Sequence, residues 1–465
     1  MLRFLFSPNA MLRLSPGIIA ALWIGITQHI PFFWDTIQLA SKHAHFFYEN
    51  HLQWAALPPD MDSGHPPLLG YYLAVCWTFL GKSLAVSHWA MFPFLAILLH
   101  QIARVGTAIS PKWGWLLVPI VGLDPVFLGQ ASLVSPDILV LTGLFLGING
   151  LHNRQWPLFM AGGLLLCTAS MRGMMCAAAL GVWALWSTPG HISAKIKAAL
   201  PLAPGALAGL TFLVWHHRAT GWIGHFEGST WAGAFERVDA KGLVRNIAIL
   251  GWRWLDMNRF WVWGLLLFVA LRTGLPAWYR RHRIWVQLFV CLVIFLTPSA
   301  LIYQNLSAHR YFLPIFAALN ILAFSAIEAY SFSRKNTQRV VLAGMLLLGN
   351  CWTYPRGVSM DWDSTLAHLP YHHLRQQAQT WLDDQEVDWA TVGTSFPNLN
   401  TNEHILLNGD QRIMQPVDFE QNTWIMTSNV LNDIDEPEYA ALQSDWLLVQ
   451  RFGGWPVWIE LYKKR

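Results

Sequence analysis

Eleven apolar runs punctuate the first 355 residues, at 15–33, 86–105, 113–130, 135–151, 156–171, 173–188, 198–216, 259–273, 284–303, 311–329 and 339–354. A helix needs ~20 residues, or ~17 at the short end, to cross ~30 Å of hydrocarbon. Each run reaches or nears that length, so the pattern predicts a polytopic α-helical membrane protein with about 11 transmembrane helices. A further run, 67–80, opens on Pro66-Pro67. As a helix it reaches only ~21 Å, so it reads as a juxtamembrane or re-entrant helix. Past residue 360 the pattern changes. Residues 371–384 read as an amphipathic helix, and 389–393, 423–427, 446–450 and 457–462 read as strands separated by acidic and glycine-containing turns. The chain thus divides into a membrane part, 1–355, with long loops at 34–66 and 217–258, and a small C-terminal α/β domain, 360–465.

Charge sharpens this division. Charged residues make up only 12% of the chain, against ~25% for an ordinary soluble domain. That excludes a typical cytosolic enzyme, and the high apolar content excludes disorder. A net charge of +4 is too small to suggest nucleic acid. Sixteen of the 27 acidic residues lie between Asp361 and Glu460. With Arg3 and Arg13 inside, nearly every basic cluster (Arg104/Lys112, Arg154, Lys195/Lys197, Arg272 to Arg283, Arg334 to Arg339) also falls inside, as the positive-inside rule requires. An odd number of spans then puts the C-terminal domain and both long loops outside. The expected location is a bacterial inner membrane, with a cytoplasmic N-terminus and an extracytoplasmic C-terminus. No small-residue cleavage pattern follows the first run, which is expected to remain as an anchor. The five cysteines lie in apolar stretches without zinc or disulfide spacing and read as small hydrophobes.

The outer ends of the spans collect the residues that suit chemistry. Asp35 directly follows the first apolar run; a carboxylate at the membrane edge suits general-base work, unless it simply ends the span. Asp137 follows Ser135-Pro136, a helix-start pattern. Arg172 and Arg310 break the positive-inside trend, and an outward-facing fork of N–H donors suits a phosphate; snorkelling to head groups is the plain alternative. His65 and His309 belong to an outer side rich in histidine, but no spacing typical of metal ligands appears and no metal-binding residue is assigned.

In order, these residues form a pattern: Asp35 after the first span, Gly64-His65-Pro66-Pro67-Leu68, Val134-Ser135-Pro136-Asp137, Arg172-Gly173, and Arg310-Tyr311-Phe312-Leu313-Pro314. This resembles the GT-C superfamily of glycosyltransferases, in the branch with protein O-mannosyltransferases and the aminoarabinose transferase of lipid A. The resemblance covers roughly 15–330 and rests on the order of short motifs. It implies an inverting sugar transfer from a polyprenyl-phosphate carrier to an acceptor hydroxyl (lipid, glycan or protein) on the extracytoplasmic side. Asp35 and Asp137 then match the family's acids. His65, Arg172, Arg310 and Tyr311 match its donor-binding positions, and His309 stands beside them as a helper at the phosphate. Many members carry two adjacent acids where this chain has Asp35-Thr36, which disfavours a divalent metal and leaves the base assignment on Asp35. No cofactor is assigned.

On this reading Asp35 takes the acceptor proton while Arg172 and Arg310 hold the leaving phosphate. The lipid tail is expected in a groove beside the helix 67–80. A transporter or flippase for a lipid-linked or anionic substrate is the alternative; it calls for internal repeats and mid-membrane charges, neither of which the sequence displays. A non-catalytic receptor would leave the outer charges of the membrane part without a task.

Overall fold

The computed structural model describes residues 8–229, 232–355, 358–431 and 434–465, with side chains from residue 15. Arg3 and the Arg13 side chain, used for the orientation argument, lie outside these.

Every one of the eleven apolar runs is largely helical, but they are not eleven long helices. Among the described residues, three helices are long and apolar enough to cross a membrane: Leu84–Ile109, Ile192–Thr220 and His309–Ala329. The number rises to five if each of two bent pairs counts as one span. Several others are shorter, such as Leu68–Leu80, Pro136–His152 and Trp156–Ala169. At 1.5 Å per residue such helices fall short of ~30 Å alone, so helix length does not carry eleven full spans.

The breaks have local causes. The run 113–130 bends by 76° between Gly114–Gly122 and Pro125–Ala131. Pro125 cannot continue the first helix, and the Asp124 side chain caps the second by accepting from the Val126 N–H at 3.0 Å. The second pair, Ala240–Leu255 and Phe260–Thr273, bends by 83°. Met257 and Asn258 turn the chain there in the left-handed region. The whole first helix of this pair falls in what the sequence suggested was loop 217–258. Asp239 caps it, and it exposes Leu243, Val244, Ile247, Trp252 and Leu255 on an amphipathic surface.

The C-terminal part folds as expected in outline. The amphipathic helix spans Leu369–Asp384 and buries Tyr371, Arg375, Ala378 and Leu382, one face at helical spacing. Five strands form one sheet in the order β2-β1-β3-β5-β4, where β1 is Val392–Thr394, β2 Gln415–Pro416, β3 Trp424–Ser428, β4 Trp446–Gly453 and β5 Trp458–Lys464. β1 runs parallel to β2 and β3, and β5 antiparallel to β3 and β4. The two-residue β2 and the helix Glu436–Asp445 were not anticipated.

This part does not stand apart from the helices. Met360, Trp362, Tyr371, Leu382 and Ile405 share one buried apolar cluster with Phe33, Leu98, Ile138 and Phe316. A Cβ on Gly129 would meet the Asp363 carbonyl oxygen at 2.6 Å, so residues 363–365 lie directly on the helix Pro125–Ala131. Glu403 accepts from His45 at 3.1 Å and also pairs with Lys82. The outcome places residues 361–363 at the ends of the membrane-part helices, where the candidate site lies.

Candidate active site

The segment after the first helix is pinned from several sides. Thr36 closes a tight turn by bonding both the N–H and C=O of Phe33 at 2.8 Å, with Trp34 at positive φ. A six-residue π-helix, Ile37–Lys42, follows, a geometry often found at functional sites. Gln38 donates to the Met61 carbonyl at 2.8 Å and so ties the far end of the first loop to this turn. Asp35 sits at the turn, with its side chain 22% exposed.

Arg310 reaches it from the other end of the chain. One amino group of the guanidinium pairs with Asp35, and the other lies 3.2 Å from Asp363. Beside them, Arg172 donates to Asp137 at 2.8 Å. Ser135 caps the helix Pro136–His152 by accepting from the Asp137 N–H, and Ser170 caps the helix that carries Arg172. Tyr311 joins the two pairs: its ring lies 4.2 Å from the Arg172 guanidinium carbon and 5.0 Å from that of Arg310. His65 accepts from the Met171 N–H through Nδ1 at 3.1 Å.

Asp35, His65, Arg172, Arg310, Tyr311 and Asp363 all line a cavity of about 1230 Å³. Asp137 stands just behind Arg172; its second carboxylate oxygen is buried without a hydrogen-bond partner among the described residues. The remaining wall is mixed, with apolar side chains such as Ile223, Phe226, Ile249, Trp252 and Leu296 between polar ones. None of this lining comes from Leu68–Leu80; it runs along the amphipathic helix Ala240–Leu255.

The two candidate histidines differ. Burial, reinforced by Arg172, pushes His65 down to about 3, so it offers this site a neutral ring rather than a charge. His309 is fully buried and does not line the cavity. Its ring nitrogens lie 2.7 Å from Asp361 and 2.6 Å from Asp256, and neither is left for a phosphate. Its role is to tie the segment 359–363 to the helix break at 256–259, where Arg259 in turn binds Asp124 at 2.7 Å.

The sequence reading missed four polar groups of this cavity. Arg245 and Arg253 come from the helix taken for loop; Asp361 and Asp363 come from the start of the C-terminal part. Arg245 bonds only to Asn246 and the Gln304 carbonyl and has no carboxylate partner among the described residues. Burial pushes the Asp361 carboxyl up, but Arg253 and His309 outweigh it and hold it below the usual carboxylate range. For Asp363 burial wins: aided by Asp35, Asp361 and Asp137 and opposed by Arg310, it raises the carboxyl to about 6. Among the described residues no three His, Cys, Asp or Glu side chains are grouped to hold a metal ion.

The raised Asp363 has a testable sign. A carboxyl that keeps its proton to a higher pH in the fold than in the unfolded chain stabilises most at low pH. That contribution is lost as pH rises from about 4 to about 6. The apparent Tm of the wild type should therefore fall relative to Asp363→Asn across this interval, in thermal unfolding followed in detergent. A constant difference between pH 4 and 7 would contradict the assignment.

No model of a known family and no curated protein matches the chain. Solved structures do. ArnT from Cupriavidus metallidurans in the apo state aligns over 98% of this chain and 98% of its own, with a TM-score of 0.51 and 11% identity. The chain has the fold of ArnT. The same protein bound to undecaprenyl phosphate aligns over 96% of each chain, with a TM-score of 0.48 and 12% identity. At such identities the likeness is one of fold. That likeness of fold extends past 330 to nearly the whole chain. Within this fold, the five motif positions that the sequence strung over 275 residues, from Asp35 to Arg310, meet around one cavity.

Proposed function

We propose that the protein is a membrane glycosyltransferase that moves a sugar from a polyprenyl-phosphate carrier to an acceptor hydroxyl, with inversion, on the extracytoplasmic face of a bacterial inner membrane. The observation that carries this reading is the meeting of Asp35, Asp137 and Asp363 with Arg172 and Arg310 at a cavity whose lining also offers apolar side chains such as Ile223, Phe226, Ile249, Trp252 and Leu296. A phosphate on a long hydrocarbon chain needs both surfaces.

The donor phosphate competes with carboxylates for the guanidiniums. As it binds, Arg310 turns its fork from Asp35 to the phosphate and remains anchored by Asp363. Arg172, oriented by Asp137 and stacked on Tyr311, takes a second phosphate oxygen. Arg245, which has no carboxylate to give up, supplies further positive charge, and neutral His65 donates one hydrogen bond through Nε2. Asp35, now without its cation, is free to accept a proton. The acceptor oxygen attacks the anomeric carbon opposite the phosphate and its proton passes to Asp35. The C–O bond to phosphate breaks with its electron pair going to phosphate, whose charge the guanidiniums hold. One displacement inverts the centre through an oxocarbenium-like transition state. The lipid tail lies along Ile223, Phe226, Ile249 and Trp252.

The test is incubation of the purified full chain with a panel of radiolabelled polyprenyl-phosphate sugars and a total extract of envelope lipids. The expected result is free polyprenyl phosphate formed in step with labelled sugar on an acceptor. Absence of release with every donor would overturn the reading. So would passage of an intact donor across proteoliposomes without cleavage, which is the transporter's behaviour.

A further inference from the structure

A second, smaller cavity of about 260 Å³ lies on the other side of the turn that carries Asp35, beneath the helix Leu369–Asp384. The segment 32–38 is the partition. Trp34, Asp35 and Gln38 line the large cavity, whereas Phe32, Phe33 and Ile37 line the small one. Its rim carries the exposed side chains of His29, His373 and Gln376, and Arg375 is buried at its base.

Arg375 is unlike the other buried arginines of this protein. Arg253, Arg259, Arg310 and Arg339 each contact a carboxylate. Arg375 contacts three neutral amides instead: Asn398 at 2.7 Å, Asn402 at 2.8 Å and Gln379 at 3.3 Å. No carboxylate among the described residues lies within ion-pair reach of it. Asp410, which acts on it electrostatically, is taken up by Arg412 at 2.9 Å and reaches Arg375 only through Asn402. The three amides use three of the five guanidinium N–H donors. A buried cation without a counter-charge is costly, and here it borders open space with two donors left over. Burial also keeps His372 well below its ordinary range, so that ring does not compete as a second charge.

We propose that this cavity binds a phosphate-type oxyanion, with the Arg375 guanidinium as its charge partner and His29, His373 and Gln376 as rim donors. The volume suits one such group with a few attached atoms. Its place just past the end of the first helix, Pro8–Thr27, admits two sources of the same chemistry, a soluble phosphate or the headgroup of a phosphate lipid. The site is separate from the donor phosphate's, and its occupant bears on the backbone that holds Asp35.

Equilibrium dialysis of the full chain in detergent against radiolabelled orthophosphate tests this, and needs no sugar transfer to be read. Two classes of binding are expected. Gln376→Glu, an exposed rim change, should weaken one class by at least about tenfold, and Arg375→Lys should weaken the same class while keeping the buried charge. Arg172→Gln should remove only the other. Phosphatidic acid in mixed micelles that displaces the Gln376-sensitive class names a lipid headgroup as the source; displacement by soluble phosphate alone names the free ion. A single class lost in Arg172→Gln, or binding unchanged in both Gln376→Glu and Arg375→Lys, would overturn the proposal.

Discussion

Asp35→Asn is expected to lower sugar transfer by about 10²–10⁴-fold, the usual contribution of a positioned base, while the protein still folds and inserts. The substitution is nearly isosteric. Its amide oxygen still accepts from Arg310, and Asp363 still supplies that guanidinium with a counter-charge at 3.2 Å, so no buried cation is stranded. What is lost is the capacity to take the acceptor proton. The loss should therefore fall on kcat, with donor affinity within a few-fold of wild type. Single-turnover transfer measured beside donor binding separates the two. Wild-type turnover in Asp35→Asn would remove Asp35 from the chemistry.

Arg310→Gln should be worse in a different way. Its guanidinium spans Asp35 and Asp363 with separate amino groups, and removing it leaves two neighbouring carboxylates with no cation between them. Breaking a buried ion pair from one side costs about 3–5 kcal/mol, so the apparent Tm should drop. The donor phosphate loses a bidentate partner, so KM should rise and kcat should fall, together by about 10²–10³-fold. Arg310→Lys restores the charge but cannot reach both carboxylates as a fork does. It is expected to recover stability in part and activity hardly at all. Kinetics and thermal unfolding of both variants decide this: full activity with an unchanged Tm in Arg310→Lys would show that the fork is not needed.

These residues were legible because each sits where an apolar run begins or ends, and a charge at such a boundary stands out. The residues that escaped notice lack that contrast. Asp361 and Asp363 open what reads as an ordinary acidic segment. The signal available was Met360-Asp361-Trp362-Asp363, with large apolar residues between the acids; both Met360 and Trp362 are about 1% exposed. Arg245 and Arg253 stand in a stretch read as loop. There the apolar positions 243, 244, 247 and 255 keep helical spacing, and Asp239 supplies the cap. The helix Glu436–Asp445 had a similar signal in the capping box of Asp435 and Glu438. The bend in 113–130 was written in Asp124-Pro125, but an apolar average runs straight across it. His309 misled for the opposite reason. Next to Arg310 in sequence, it points the other way, because adjacent residues in a helical turn do not share a face. Nothing local tells that Asp256 and Asp361 will close on it.

The most direct test of the account is a map of the full chain in lipid with undecaprenyl phosphate bound. The phosphate is expected within hydrogen-bond distance of both Arg172 and Arg310, with Asp35 released from Arg310 and the Arg310–Asp363 contact kept. A phosphate bound away from both guanidiniums, with Asp35–Arg310 and Asp137–Arg172 still paired, would contradict it.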